Sequence, residues 1–399
     1  AMVAMDIDAK KIWYGWNGTW FENASGVGNP ATGANPMVDG HANFTDGFWT
    51  WAASPYHTNS ETVYLNAGQR AFSHTAPSGF KCLCTKNLPD TFSGDEKNKP
   101  SSYFDIATWS GDDVNNKDII TSPEFAPDLL WIKERNQTWT IGHRLYDRVR
   151  GAGVNKHLDS STNAAEGSGN DETYGYVSAF TSDGFTATQG TSGKDYVNKD
   201  GTNYVAWTWD AGTSAATAST EGSVTPSAQW VNNTAGFSIS KWTVPSSGTY
   251  TVGHGLSAKP DFIMMKNLDS TTNWDVYHHK VGANYRLKLN TNDTQDDQDG
   301  AWNDTEPTST VFTSTVAWLG AGDDAIAYCW TAIPGYSAFG SFEGNNNADG
   351  PFIYTGFRVR YLLLKDIDAT KAWAIKDTAR DSDNPNTSWL EANHYGAEQ

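Results

Sequence analysis

The sequence predicts an all-β protein that is built of tandem antiparallel β-sandwich domains and contains very little helix. Aromatic residues make up 13% of the 399 residues, with 18 tryptophans, and Gly, Asn, Thr, Ser and Asp are abundant while leucine is scarce. Aromatic and β-branched side chains fit a pleated surface, and Gly, Asn, Asp and Ser favour turns. A chain of this length forms about two to four domains, each able to bury a core.

The net charge argues against two classes of partner, and the cysteine content indicates the compartment in which the chain assembles. A formal charge of -18 at pH 7 repels phosphate backbones and anionic membrane surfaces, so we expect no nucleic-acid partner. No run of 18 apolar residues occurs, and we expect no insertion into a membrane. The three cysteines, Cys82, Cys84 and Cys329, are too few for a disulfide framework. Free thiols favour assembly in a reducing cytoplasm.

An internal repeat organises the chain after residue 100. Phe104 and Trp109 in "FDIATW" recur 133 residues later in "FSISKW", and Lys133 in "PDLLWIK" recurs at the same offset in "PDFIMMK". Each copy then passes through a turn to a further strand and closes on an alternating strand, "YVAWTW" at 204–209 or "AIAYCW" at 325–330. Anchors that share one offset indicate two equivalent β units.

A third copy begins near Tyr336, and "VRYLLLK" takes the place of "PDFIMMK". Phe342 in this copy stands where the second copy has Trp242. A tryptophan follows the lysine of each motif by six or eight residues, and we interpret these as equivalent core positions: Trp139, Trp274 and Trp373. Equivalent residues of a repeat are expected to serve the same core.

These patterns predict five segments. Only 34 residues follow the motif lysine of the third copy, against about 60 in the second, so we expect the final unit to be incomplete. The first residues open directly on strand alternation, which indicates a segment of a longer polypeptide. The predicted segments are part of a β-sandwich at 1–95, the first copy at 101–212, a small-residue, flexible linker at 213–227, the second copy at 228–334 and the third at 335–399.

Two parts of the chain resemble families of phage proteins. "VAMDIDAKKIWYGWNGTW", followed by "TVYLNAGQRAFSHTAPSGFKCLCTKNLP", resembles the C-terminal half of the SPRY-type domain of phage virion proteins over about the first 90 residues. "PDLLWIKERN", "YDRVRG", "YVAWTWDAG", "VGHGL" and "FIYTGF" resemble a tandem domain of unassigned chemistry in tail and fibre proteins of marine phages. The first resemblance implies a jelly-roll or concanavalin-like sandwich, and both imply a virion tail or fibre that is made in the host cytoplasm.

The stretch "KIWYGWNGTW" at 11–20 predicts a β-hairpin. Its Asn-Gly pair is the strongest short signal for a type I′ turn, in which both central residues need positive φ. This turn pairs Gly15 with Trp20. A four-residue loop before the stretch pairs it with the first strand, so that Met5 faces Tyr14.

Alternation along these strands sorts the aromatic rings onto two faces. The face that we expect to be core carries Val3, Met5, Ile7, Ile12, Tyr14, Trp16 and Phe21. Trp13 and Trp20 lie on the other face beside Gly15, as diagonal neighbours roughly 7 to 8 Å apart between Cα atoms. Because two rings over a bare glycine can stack on a sugar, Trp13 and Trp20 are the candidate glycan-binding residues. The alternative is that a neighbouring domain or chain covers them.

An acidic stretch, "QDDQDGAWNDTE" at 295–306, matches part of a calcium-binding loop. Asp297, Asp299 and Glu306 fall at positions 3, 5 and 12 of the loop that wraps Ca²⁺ in EF-hands. Gln295 stands where the first Asp is required, and no helix pattern flanks the stretch. A solvated acidic turn is the alternative, and we expect no other cofactor.

The sequence contains no recognisable set of catalytic residues. A glycosidase needs two carboxylates on opposite sides of the scissile bond, and the E-x-D-x-x-E pattern of laminarinase-like sandwiches does not occur here. We therefore predict a structural and adhesive virion component, not an enzyme, that attaches to a host-surface glycan or receptor. Other virion proteins and a homotrimer are the expected partners. The alternative is a fragment of a secreted polysaccharide-active enzyme with tandem carbohydrate-binding modules.

Overall fold

Antiparallel strands dominate the computed structural model, which confirms the all-β prediction. Among the described residues, α-helix is confined to three segments of four residues each. The structure describes residues 2–6, 9–40, 66, 72–80, 99–122, 124–136, 141–192, 196–297, 299–347, 350–383 and 385–399. The chain divides into two compact units, 1–90 and 91–399, and each is described by itself.

The first unit contains a small antiparallel sheet around the predicted hairpin. Its strands are β1 (Met2–Asp6), β2 (Lys11–Trp16), β3 (Thr19–Trp20), β4 (Glu22–Asn23), β5 (Gly26–Val27) and β6 (Val38–Asp39). Strand β2 pairs with β1, β3 and β6, and β4 pairs with β5 in a separate two-stranded ribbon. The resemblance of this unit to a SPRY-type sandwich stays a prediction.

The first copy of the repeat forms two sheets, ordered β10-β9-β13-β7 and β11-β12-β8. Its elements are β7 (Phe104–Ser110), β8 (Lys117–Ile120), β9 (Leu129–Glu134), β10 (Arg144–Asp147), α1 (Asp171–Tyr174), β11 (Tyr176–Phe180), β12 (Gly184–Thr188) and β13 (Asn203–Trp209). A short 3₁₀ helix at Pro100–Ser102 precedes β7.

The second copy forms a seven-stranded sheet, ordered β14-β15-β22-β17-β18-β19-β20, with β16 and β21 as a separate pair. Its strands and helices are β14 (Ala228–Asn232), β15 (Phe237–Thr243), β16 (Thr249–Gly253), β17 (Phe262–Asn267), β18 (Asp275–His278), β19 (Tyr285–Lys288), β20 (Asp296–Asp297), α2 (Asp299–Trp302), β21 (Val311–Thr315), α3 (Val316–Leu319) and β22 (Asp324–Trp330). The third copy contributes β23 (Tyr361–Leu364), β24 (Ala374–Asp377) and β25 (Leu390–Glu391) as one sheet.

The first two copies have the same strand register. In the first copy Trp207 lies opposite Ile106 on β7 and opposite Trp131 on β9. In the second copy Tyr328 takes the place of Trp207 and lies opposite the residues 133 positions later on β15 and β17. The shared offset in the sequence therefore corresponds to one shared pairing scheme.

The strands β9 and β17 are buried along their whole length, because both faces of each sheet are covered. In β9, Leu130 and Ile132 pack on the second sheet of their own copy, while Leu129 and Trp131 point into a larger core. The alternating residues of β17 divide in the same way between two clusters. This arrangement makes the first copy a sandwich whose outer face is also covered.

That larger core is shared by all three copies. It contains Trp207 from the first copy, Tyr328 from the second and Ile375 from the third, each buried. The segment 213–227 contains no helix or regular strand and lies along the second copy, where Val224 N–H donates to Thr251 O (3.0 Å). The predicted boundaries of the copies stay predictions, but their cores are joined.

The three copies contact one another in a cycle. In each copy a strand follows the lysine motif, and a Trp or His lies directly before that strand. A ring nitrogen of this residue forms a hydrogen bond with a backbone carbonyl oxygen of another copy. The pairs, each 2.9 Å apart, are Trp274 with Asp159, Trp373 with Lys288, and His143 with Glu391. The second copy thus contacts the first, the third contacts the second, and the first contacts the third. The first copy has His143 where we predicted Trp139, which lies outside the described residues.

Candidate ligand-binding surface

The hairpin turn is confirmed, and the pairing of β1 is shifted by two residues. Gly15 lies opposite Trp20 as predicted, and the turn residues Asn17 and Gly18 both have positive φ. On the other side, Met5 lies opposite Ile12 instead of Tyr14, and Asp6 lies opposite Lys11. A shift of two residues leaves every side chain on its predicted face.

The prediction of which face is buried is wrong. Trp13 is only 1% exposed, its indole N–H donates to Ala34 O (2.8 Å), and its ring meets Phe80 edge-on with centroids 5.9 Å apart. The backbone of Gly28 also lies against this ring, so the segment after β5 covers the face. Trp13 is therefore a core residue and is not available to stack on a sugar.

Trp20 keeps its predicted neighbour but does not form a platform with Trp13. Its ring lies against Gly15, where an added Cβ would come within 3.0 Å of the ring. The Met2 side chain occupies the rest of this space, and Trp20 is half-buried. The bare glycine accommodates protein side chains and leaves no gap for a sugar ring.

The opposite face of the hairpin is an exposed aromatic surface. Trp16 is 64% exposed, Phe21 48% and Tyr14 40%. Tyr14 lies opposite Val3 on one side, and its carbonyl accepts the Phe21 N–H (2.9 Å) on the other. Trp16 follows on the same face, about 7 Å along β2. We call Tyr14, Trp16 and Phe21 the aromatic face; both faces of β2 carry rings, so alternation alone did not reveal which one is open.

The predicted calcium ligands lie on different elements and do not form a wrapping loop. Asp297 ends the short strand β20, and the next residues form the helical turn α2. The Glu306 carboxylate accepts hydrogen bonds from Lys259 Nζ (2.6 Å), Tyr277 OH (2.5 Å) and Ala283 N–H (2.8 Å). Nothing is described of the Asp299 side chain. Across the described residues, no group of three or more His, Cys, Asp or Glu side chains is arranged to hold a metal.

The repeated lysine donates hydrogen bonds to backbone carbonyl oxygens around the end of its strand. Lys133 and Lys266 are buried, and their Nζ atoms donate to the carbonyl oxygens of Ile141 (3.1 Å) and of Asn267, the last residue of β17 (2.7 Å). Lys365 donates to Lys371 O (2.8 Å) in the third copy. Burial lowers the pKa of Lys266 to about 8. The lysine that marks the repeat thus has a structural role.

A buried Asp–Arg pair joins copies and was not anticipated from the sequence. Arg150 Nε donates to Asp147 Oδ2 (2.6 Å), and the same carboxylate accepts the Tyr328 hydroxyl of the second copy (2.6 Å). In the third copy Arg380 pairs with Asp377, which accepts the Trp207 indole N–H of the first copy (2.9 Å). The spacing D-x-x-R, present in both copies, was the available signal.

Two carboxyl groups meet at the junction of the first and second copies. Asp128 accepts the Ala211 N–H (2.6 Å) and lies 2.9 Å from Arg148 Nε. Asp210 accepts the side-chain amide of Asn232 (2.9 Å). Burial, reinforced by Asp210, raises the pKa of Asp128 to about 8, and burial raises the pKa of Asp210 as well. Both groups are buried, so this pair has no access to a substrate and serves the packing of the copies.

The fold and these contacts define a class of protein. It is an all-β protein in which three copies of one antiparallel unit share a core, and buried polar groups of one copy form hydrogen bonds with another copy. A family model matches residues 99–399, which include all three copies, and the chain belongs to that family, the domain of unknown function DUF7483. No curated protein and no solved structure matches the chain. Within the described ranges, no helix is both long and apolar enough to cross a membrane.

Proposed function

We propose that this protein is a structural and adhesive component of a phage virion, a tail fibre or similar appendage, and that its aromatic face binds a host-surface glycan. The observation that carries the binding step is the exposure of Tyr14, Trp16 and Phe21 on one side of a hairpin. Contiguous exposed apolar groups mark interaction sites. Flat aromatic rings present a π-face that stacks on the C–H groups of a sugar, and a sheet holds them at a fixed spacing.

The virion setting rests on the resemblance of the opening residues and of the repeat motifs to phage tail proteins. Two features fit an appendage that carries load without catalysis. The copies are joined by a shared core and by the cycle of contacts between them. The buried Asp, Arg and Lys side chains described above form hydrogen bonds and ion pairs within the chain. The proposal includes contacts with other virion proteins and the association of three copies of this chain as a homotrimer.

Replacing Tyr14 and Trp16 together with Ala tests the glycan proposal. We expect at least a tenfold loss of affinity for the bound glycan, selected from a panel of bacterial capsular and lipopolysaccharide glycans and measured by titration calorimetry. The thermal midpoint should change little, because both rings are exposed. Unchanged affinity in this variant would overturn the aromatic face as the binding site.

Trp13→Ala is the matched control on the other side of the same strand. It removes a buried ring and should destabilise the first unit by about 3 to 5 kcal/mol. Glycan binding measured well below its lowered midpoint should persist. Release of reducing sugar from any glycan of the panel would favour the alternative, a polysaccharide-active enzyme.

A further inference from the structure

A small polar cleft lies at the junction of the second and third copies. It has a volume of about 230 Å³ and is lined by Lys288, Asp293, Thr294, Gln295, Asp296 and Thr370. The first five belong to the segment that runs from the end of β19 into β20, and Thr370 lies between β23 and β24. A site for a drug-sized molecule has about 300 to 1,000 Å³, so this cleft matches a smaller ligand with a single ring.

The backbone around the cleft is the same at all three junctions between copies. At each one, an N–H group of one copy donates to the carbonyl oxygen two residues past the motif lysine of the next copy. These pairs are Gln295 with Ile367 (3.2 Å), Glu166 with Leu268 (2.8 Å) and Glu398 with Arg135 (2.7 Å). The shared bond aligns residues 288–296 of the second copy with 159–167 of the first.

Three polar residues of the cleft, Asp293, Thr294 and Asp296, replace small residues of the first copy. Their equivalents there are Ala164, Ala165 and Gly167. Because the first copy forms the same backbone contact without these side chains, the junction does not require them for packing. They are free to serve another role.

Gln295 differs from its equivalents in having no arginine partner. In the other two copies this position is a glutamate that pairs with the arginine of the D-x-x-R motif, namely Glu166 with Arg150 (3.1 Å) and Glu398 with Arg380 (2.7 Å). The second copy has Val281 in place of that arginine. The Gln295 side chain lines the cleft instead.

The access to the cleft is a property of this position in the repeat. At the junction of the first and second copies, both closing strands, β13 and β22, are present. The equivalent segment there, residues 162–170, is exposed or half-buried throughout. A closing strand therefore does not cover this position.

The two cations beside the carboxylates of the cleft are already paired. Lys288 Nζ lies 2.9 Å from Asp293 Oδ2 and 3.1 Å from Asp296 Oδ2. Arg286 pairs with Asp275 as well as with Asp296. An anionic ligand would meet these carboxylates without gaining an unpaired cation. The Asp293 side chain is 51% exposed, so its carboxylate can accept further hydrogen bonds.

Three uncharged groups complete the lining: the hydroxyls of Thr294 and Thr370 and the amide of Gln295. Within the described part of the chain, these side chains form no hydrogen bond. Each of the three groups can both donate and accept. The hydroxyl groups of a sugar have the same double capacity, and hydrogen bonds to a carboxylate are stronger than those between uncharged groups.

We propose that this cleft binds a single unit of an uncharged sugar, whose hydroxyl groups form hydrogen bonds with Asp293, Thr294 and Gln295. The site belongs to the second compact unit of the chain and is separate from the aromatic face of the first. Binding at one of the two sites does not require binding at the other.

Titration of the full chain with monosaccharides, followed by saturation-transfer NMR, tests the proposal. The panel contains neutral hexoses, their deoxy and N-acetyl forms, and glucuronate. We expect saturable binding of at least one neutral sugar and at least tenfold weaker binding of glucuronate, because the cleft has no unpaired cation for its carboxylate. Absence of saturable binding by every neutral sugar, or equal binding of glucuronate, would overturn the proposal.

Two substitutions that import residues of the first copy form a matched pair. Asp293→Ala with Thr294→Ala removes polar groups of the cleft and should weaken sugar binding at least tenfold. Asp297→Ser changes an exposed aspartate of the same segment that does not line the cleft, and it should leave the affinity unchanged. Both variants should keep the thermal midpoint of the parent, since the first copy folds with these residues. Undiminished affinity in the double variant would contradict the site.

The variant in which Tyr14 and Trp16 are both Ala separates this site from the aromatic face. Monosaccharide binding at the cleft should persist in that variant. Loss of monosaccharide binding there, with normal binding in the cleft variant, would assign the sugar to the aromatic face and refute the cleft.

Discussion

The first and second copies form the same sheet in the same register but contain different buried polar groups. The first copy buries the Asp147–Arg150 pair, while the second has His278 and Val281 at these positions. Asp210 of the first copy is replaced by Thr331 in the second, so only one carboxyl, the half-buried Asp261, remains there. The alternating apolar residues therefore specify the sheet, and the polar groups vary with the neighbour that each copy contacts.

Of the substitutions that test this comparison, Arg150→Val should lower the free energy of unfolding most. It leaves the Asp147 carboxylate buried without its cation, and removing one partner of a buried pair costs about 3 to 5 kcal/mol. The free energy of unfolding is measured by urea titration with tryptophan fluorescence. The double variant Asp147→His with Arg150→Val reproduces the residues of the second copy and should recover at least half of the loss. A double variant as unstable as the single one would show that the copies tolerate different polar groups for another reason.

The carboxyl pair predicts a dependence of stability on pH. The raised pKa of Asp128 keeps it protonated when folded, while an unfolded Asp is ionised above pH about 4. Unfolding then releases a proton, so stability should fall as pH rises from about 4 to about 8. Asp210→Asn removes the neighbouring carboxyl group, which helps to raise the pKa of Asp128, and should therefore raise stability at pH 8, measured by urea unfolding.

Asp261 in the second copy should show the opposite dependence of stability on pH. Burial acts to raise its pKa, but the hydrogen bonds from His279, the Ala332 N–H and Thr331, together with the electrostatic interaction with His279, outweigh burial and lower the pKa. A lowered pKa contributes stability that is present at neutral pH and is lost in acid. Asp261→Asn should therefore destabilise the protein at pH 7. If both variants shifted stability in the same direction at pH 8, the distinction between the two sites would be wrong.

Trp274→Phe and Trp373→Phe should have the smallest effects. Each removes one indole N–H that donates across a junction between copies, and a lost buried hydrogen bond costs about 1 to 1.5 kcal/mol. The two variants act at different junctions, so their effects on the free energy of unfolding should add to within about 0.5 kcal/mol. A double variant that loses much more would indicate that the cycle of contacts forms as one cooperative unit.

The sequence by itself determined the strands that repeat and the hairpin turn. These features depend on local rules, namely side-chain alternation and the positive φ of the Asn17-Gly18 pair, that neighbouring residues satisfy. It also placed Trp274 and Trp373 in a core correctly, since both are buried. It did not place His143 beside them, because the turn between the lysine and this position has a different length in the first copy.

Only the tertiary structure decided which face of the hairpin is buried and how the three copies pack. Trp13 and Trp16 stand on opposite faces of β2, and both are aromatic, so no local pattern separates the core ring from the exposed one. The choice depends on the segment that carries Ala34, which lies over Trp13. In the same way, the partner of Asp147 is Tyr328, which lies 181 residues away. Contacts at that separation are set by packing, which no local spacing of residues encodes.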